Sequence, residues 1–274
     1  MTAANLGDGV SAADLGELAA DIAREAGDLA RRRRAEGVAL AATKSTLADI
    51  VTDADREVEQ LIRERLHRER PDDGFFGEES GAARGSSGLT WVVDPIDGTV
   101  NYAYGIATYS VSIAVVEGEP DPLSWQGVAA AVCAPALGEL FTAARGEGAW
   151  LDGIRLSVTE GNPAGALLGT GFGYDPATHE GDLALVRRVM RMARDLRRMG
   201  SAAIDLSYVA AGRLDGFFER GLNPWDFAAG ALIVEEAGGA VSRFDVDAPR
   251  PLLIAGGRRV HDRLRAIVEG DGSA

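Results

Sequence analysis

A single cysteine, Cys133, excludes an internal disulfide framework and fits a reducing compartment, so a cytoplasmic location is expected. The three histidines, His67, His179 and His261, show no metal-ligand spacing and are expected at the surface. No stretch approaches the roughly 18 consecutive apolar residues of a membrane span. The first residues, MTAANLGDGVSAADLGEL, have neither the basic start nor the apolar core of a secretory signal. Lysine is nearly missing: of 28 basic residues only Lys44 is a lysine. An Ala- and Gly-rich composition that favours Arg accounts for most of this, and the survivor is a candidate where a compact ammonium is needed.

What is present is ordinary globular material. Apolar residues make up 46% of the 274 and charged residues 26%, enough for one large core. The formal net charge of −14 repels nucleic acid and anionic membranes, so neither is an expected partner. It would also repel a phosphate ester, unless divalent cations reverse the sign locally.

Periodicity predicts a first helix over 13–34, with Leu15, Leu18, Ile22, Ala26 and Leu29 on one side and Arg31–Arg34 facing water at its end. A second helix runs from Asp53 to Arg68, opened by a capping-box pattern at Thr52–Asp55. Strands are predicted at 89–93, 110–116, 126–133 and 138–144, and Phe75-Phe76 reads as a strand end. The second half alternates: a strand near 166–170, helices at 181–196 and 201–211, a strand at 214–219, a helix at 225–237, a strand at 252–255 and a helix at 259–269. The pattern reads as a layered α/β domain over 11–270, with an N-terminal half over 11–145 and a C-terminal half over 146–270.

The segment Trp91-Val92-Val93-Asp94-Pro95-Ile96-Asp97-Gly98-Thr99 carries the chemistry. An apolar strand delivers Asp94 at its end, Pro95 stops the strand, and Asp97-Gly98 turns tightly. Two carboxylates are thereby aimed into one cleft, with the N–H groups of Gly98 and Thr99 left for an anion. Asp-Pro and Asp-Gly are also common turn dipeptides, so further carboxylates must decide. Glu78 follows Phe75-Phe76-Gly77 and would meet the same cleft; Asp226 opens the helix WDFAAGALIVEEAGG, where an Asp is otherwise a cap. Glu78, Asp94, Asp97 and Asp226 offer only hard oxygen donors, which select Mg²⁺, Mn²⁺ or Ca²⁺ over zinc.

DPIDGT at 94–99, GEES at 77–80 and WDFAAGALIVEEAGG at 225–239 resemble the three signature regions of inositol monophosphatases. GSAAIDLSYVAAGRLDGFFERG at 200–221 and KSTLADIVTDADREVEQLI at 44–62 extend the resemblance from about residue 13 to 268. The resemblance implies an α-β-α-β-α sandwich of the sugar phosphatase and fructose-1,6-bisphosphatase type, commonly a homodimer, using two or three Mg²⁺ ions and inhibited by Li⁺. Glu78, Asp94 and the Ile96 carbonyl would hold one ion; Asp94, Asp97 and Asp226 a second; Glu78 would help a weaker third. Thr99 with Asp55 would orient and deprotonate the attacking water, and the N–H groups of Gly98 and Thr99 would bind phosphate. Glu219 and the backbone near Ala202 would contact substrate hydroxyls, with Lys44 near the entrance.

The segment Val100-Asn101-Tyr102-Ala103-Tyr104-Gly105 departs from the usual second Thr and His, which bears on substrate preference and not on the metals. The expected activity is hydrolysis of inositol-1-phosphate. Alternatives are fructose-1,6-bisphosphate, histidinol phosphate or a 3′-phosphoadenosine nucleotide as substrate, or a non-catalytic binding protein on the same fold. A cysteine phosphatase is not supported, because no Arg lies six residues beyond Cys133; Cys133 reads as a small core residue.

Overall fold

The structure is a computed structural model that describes residues 9–37, 40–43, 50–118, 121–161 and 164–270. In chain order the first elements are α1 (Ala12–Glu36), β1 (Leu40–Thr43), β2 (Ile50–Thr52), α2 (Asp53–Glu69), β3 (Gly74–Gly77), β4 (Gly81–Ala83) and β5 (Leu89–Asp97). There follow α3 (Thr99–Tyr104), β6 (Ser110–Glu117), β7 (Gln126–Ala134), β8 (Glu139–Ala144), β9 (Gly148–Leu151) and β10 (Ile154–Arg155). The remainder is β11 (Ala166–Thr170), α4 (His179–Val189), β12 (Ala193–Arg197), α5 (Ala202–Ala210), β13 (Gly216–Arg220), α6 (Pro224–Glu236), β14 (Ala240–Phe244), β15 (Leu252–Gly256) and α7 (Arg258–Glu269).

An eight-stranded sheet has the order β10-β9-β8-β7-β6-β5-β3-β4, and only β3 and β5 run parallel in it. It extends through Arg155, beyond the expected division at residue 146. A five-stranded sheet has the order β12-β11-β13-β15-β14, parallel around β11 and antiparallel around β15. Helices α1 and α2 cover the outer face of the large sheet, α5 and α6 lie between the sheets, and α4 and α7 cover the outer face of the small one. The result is the five-layered α-β-α-β-α sandwich.

Both faces of each sheet are covered over its middle, so the central strands are largely apolar instead of alternating with polar residues. In β5, Trp91 and Val93 enter the core under α1 and α2, while Val92 enters the core under α5 and α6. In β15, Leu253 and Ala255 face the inner helices and Leu252 and Ile254 the outer ones. Small residues let α1 lie close to β7: a Cβ added at Gly27 would sit 2.8 Å from Cys133 Sγ. Cys133 is thus the small core residue expected, and burial pushes its thiol up to about 11. Ser11 starts α1 with a capping box, its Oγ accepting from Asp14 N at 3.1 Å and its N–H donating to Asp14 Oδ2 at 3.1 Å.

Several expectations are corrected. The helix predicted over 181–196 ends at Val189, and Ala193–Arg197 forms β12, an edge strand whose side chains are largely exposed. Its Arg-rich sequence has no buried face to reveal a strand period. Pro95 does not stop β5; the strand continues to Asp97 through a register shift between Asp94 and Asp97, where a missing N–H costs no ladder bond. His261 is buried, not superficial: its Nε2 lies 2.9 Å from Ser242 Oγ, and burial lowers its pKa. Arg31, Arg32 and Arg33 face water as expected, but Arg34 turns inward beneath Gly105 with its Nε buried. Among the described residues no helix is long and apolar enough to cross a membrane.

Candidate active site

The end of β5 and the turn after it are held from three directions. Asp94 Oδ1 accepts from Ile96 N at 3.0 Å, so the carboxylate folds over its own turn and the chain bends around Pro95. Asp97 Oδ2 accepts from Ser201 Oγ at 2.6 Å and from Ala203 N at 2.7 Å, which ties the turn to the first turn of α5. Gly98 has φ +91°, and a Cβ there would stand 2.9 Å from the Gly200 carbonyl and 3.0 Å from that of Thr108. Both conformation and space therefore require glycine.

Thr99 Oγ1 lies 3.1 Å from the Ile96 carbonyl and 3.4 Å from Asp55 Oδ1, so one hydroxyl proton serves two acceptors. Asp55 is buried in the first turn of α2, behind the cavity wall and not on it. Asn101 anchors α3 by donating to the carbonyls of Thr108 at 2.6 Å and Met199 at 2.8 Å. Tyr102 Oη donates to the Ala30 carbonyl at 2.9 Å and fastens α3 to α1.

Glu78 leaves the end of β3, its N–H donating to the Val93 carbonyl at 3.2 Å. The adjoining turn is held by buried Glu59, whose Oε2 accepts from Glu79 N at 2.9 Å. Asp226 occupies the third position of α6 and accepts from Asn223 N at 2.7 Å, so the capping role and a place at the cavity coexist in one side chain.

Glu78, Asp94, Ile96, Asp97, Gly98, Thr99, Ala202, Glu219 and Asp226 all line one cavity of about 410 Å³. Lys44 lies outside the described residues. Burial, and then the charges of Glu78, Asp97, Asp226 and Asp55, push the Asp94 carboxyl well above the usual range. Burial, followed by Asp97 and Glu78, does the same to Asp226. Asp97 is lifted to about 6 by burial, moderated by the hydrogen bonds from Ser201 and Ala203. Glu219 rises to about 8 by burial, against the field of Arg198.

Such a group crowds acidic side chains around Asp94, Asp97 and Asp226. Among the described residues no set of three or more His, Cys, Asp or Glu side chains is arranged to hold a metal ion as it stands. The donor chemistry nonetheless fits a hard divalent cation: every donor is oxygen, and mutual repulsion is the force that a cation would relieve.

A profile of the family described as "Inositol monophosphatase family" matches residues 12–270. The chain belongs to the inositol monophosphatase family. Its relatives include "Inositol-1-monophosphatase SuhB" of Mycobacterium tuberculosis, 44% identical over 281 aligned residues that cover 94% of each chain. "Nus factor SuhB" of Escherichia coli is 41% identical over 231 residues, covering 83% of this chain and 84% of that one. The crystal structure of the extragenic suppressor protein suhB from Bartonella henselae superposes with a TM-score of 0.81 at 37% identity, covering 93% of this chain and 98% of that one. Inositol monophosphatases are a phosphatase family, and this chain is an enzyme of that type.

Some residues at the site were not legible in the sequence. Ser201 lay within the resembling segment at 200–221, but its bond to Asp97 spans the whole fold. Glu59 lay within the resembling segment at 44–62 with no role assigned to it. Arg198 and Arg250 also line the cavity and belong to no motif.

Proposed function

We propose that the protein is a Mg²⁺-dependent phosphomonoesterase that hydrolyses inositol-1-phosphate to inositol and phosphate. The observation that carries this reading is that Glu78, Asp94, Asp97 and Asp226, from three separate segments, line the same cavity as Glu219. Glu78, Asp94 and the Ile96 carbonyl would hold one Mg²⁺, and Asp94, Asp97 and Asp226 a second. Bound there, Mg²⁺ would neutralise the phosphoryl oxygens and make water a usable nucleophile near neutral pH.

The chain's own residues do the rest. Thr99 Oγ1 takes a proton from the attacking water while passing its own to Asp55, the acceptor 3.4 Å away. The water oxygen bonds to phosphorus as the bond from phosphorus to the inositol oxygen breaks, and the alcohol leaves with a proton from solvent. The Gly98 and Thr99 N–H groups orient the phosphoryl group, whose transfer needs positioning and charge neutralisation more than covalent help. Glu219 and the backbone at Ala202 orient the ring by accepting from its hydroxyls. A hydroxyl-reading carboxylate at Glu219 favours a cyclitol or sugar over a nucleotide or histidinol ester.

The test is phosphate release from a panel of inositol-1-phosphate, fructose-1,6-bisphosphate, histidinol phosphate and 3′-phosphoadenosine 5′-phosphate. Activity on inositol-1-phosphate at least tenfold above the others, lost with EDTA and restored by Mg²⁺, is the expected result. No release from any ester in millimolar Mg²⁺ would overturn the proposal in favour of a binding protein.

A further inference from the structure

Between β11 and α4 the chain forms one wall of the cavity, with Gly171, Gly173, Tyr174 and Thr178 on its lining. The wall begins against Glu219. β11 runs parallel to β13 with Thr170 opposite Phe218, and a Cβ at Gly171 would collide with the Glu219 carboxylate. Two residues on, the backbone of Gly173 is held by α4 on both sides. Its N–H donates to Asp182 Oδ2 at 3.1 Å, and its carbonyl lies 3.0 Å from His179 Nε2. Between these points Asp175 closes the turn Pro176–Thr178, its Oδ1 accepting from Ala177 N at 2.9 Å and its carbonyl from Thr178 Oγ1 at 2.7 Å.

An ion pair joins this unit to the end of β13. Asp182 is buried, and Arg250 meets both of its oxygens at 3.0 Å. Arg250 Nη2 also donates to the carbonyl of Arg220, the residue after Glu219, at 3.0 Å. Glycines make room for the guanidinium on two sides: a Cβ at Gly173 would stand 2.7 Å from its Nη2, and one at Gly221 2.7 Å from its Nε. The base of the arginine is fixed as well, because Gly221 N donates to the carbonyl of neighbouring Pro251 at 2.9 Å. Asp182 lies behind the wall and not on it, so it can act on a substrate only through what it holds.

We propose that Asp182 and Arg250 are positioning residues. Their ion pair clamps the 171–178 segment to the end of β13 and so fixes the wall, Tyr174 and Glu219 included, that receives the alcohol part of the substrate. A guanidinium that meets a carboxylate with two parallel bonds sets an angle as well as a distance, which a lone hydrogen bond does not. A wall ordered before the substrate arrives need not be ordered during binding, so the clamp acts on affinity for the ester and not on chemistry at phosphorus. The inference rests on the phosphatase reading of the same cavity and deepens it.

The experiment compares wild type, D182A, R250Q and the double variant by steady-state kinetics on inositol-1-phosphate and by hydrogen exchange of the 171–178 segment. Each single variant should raise KM about fivefold or more, with kcat within about twofold of wild type. Because the two residues act as one unit, the double variant should be no more than about twofold worse than the worse single variant. Exchange of the Gly173 N–H should quicken about tenfold or more in D182A and also in R250Q, although Arg250 is not its acceptor. D182N, which can still accept from that N–H, should recover part of the loss. An unchanged KM, single effects that multiply in the double variant, or a fall in kcat as large as the rise in KM overturns the assignment. A raised KM in R250Q with unmoved exchange overturns it in favour of direct contact between Arg250 and substrate. If D182A does not fold, R250Q and its exchange rates carry the test with the same thresholds. If wild type releases no phosphate, the phosphatase reading fails, and exchange alone decides the clamp.

Discussion

Replacing Asp97 by asparagine separates what the acidic cluster costs the fold from what it does for the reaction. The asparagine carbonyl can still accept from Ser201 Oγ and Ala203 N, the bonds of 2.6 and 2.7 Å that Asp97 Oδ2 makes now, so the turn keeps its anchor. What is lost is a buried charge. The Asp97 pKa is raised from 3.8 to about 6 in the folded protein. Keeping it ionised at pH 8 without metal therefore costs about 3 kcal/mol, at ~1.4 kcal/mol per pKa unit. Because the folded pKa is the higher one, the folded protein binds more protons between about pH 4 and pH 6. Metal-free stability thus falls as pH rises through that window.

Asp97→Asn should accordingly raise the metal-free melting temperature at pH 8 by roughly 6–12 °C, at ~2–4 °C per kcal/mol. At pH 5 the gain should shrink to about half. Mg²⁺ should close most of the gap: at about 100 times Kd each bound ion adds ~2.7 kcal/mol, and the variant forfeits the ion that Asp97 would help to hold. Differential scanning calorimetry at pH 5 and 8, with EDTA or Mg²⁺, reads all four corners. A variant less stable than wild type at pH 8 in EDTA, or one that Mg²⁺ shifts as much as wild type, would refute the reasoning.

Thr99→Ala should lower kcat by about 10²- to 10⁴-fold, the range of a positioned acid–base group, while the Mg²⁺-induced rise in melting temperature survives. A loss of that rise would instead make Thr99 part of the metal scaffold. Assayed at about pH 9, above the Glu219 pKa of about 8, Glu219→Gln should raise KM for inositol-1-phosphate by roughly tenfold or more, a hydrogen bond to a charged group, with kcat changed far less. Gly171→Ala should mimic it, because a Cβ there would collide with the Glu219 carboxylate; steady-state kinetics giving a normal KM would dismiss that contact. His261→Phe should cost about 1–2 kcal/mol by leaving Ser242 Oγ without its imidazole partner, measured by urea unfolding, with kcat unchanged.

The residue order alone determined the features whose physics is local. Helix periods at α1 and α2, the apolar strand run into Asp94 and the Asp97-Gly98 turn are each written within a few neighbouring residues. Where an element lacks a buried face the local pattern misleads, as at β12, read as helix; at His261 a polar side chain on the buried face of α7 meets the Ser242 hydroxyl of β14. Tertiary structure alone decided which distant groups share one space. Ser201 is 104 residues from the Asp97 it fixes, Asp55 is 44 from Thr99, and Glu59 is 20 from the Glu79 N–H it holds. Such partners have no fixed spacing, because they are chosen by how the two sheets stack around α5 and α6. The raised carboxyl pKa values follow from the same stacking: burial and crowding are properties of the assembled cavity, and no run of residues carries them alone.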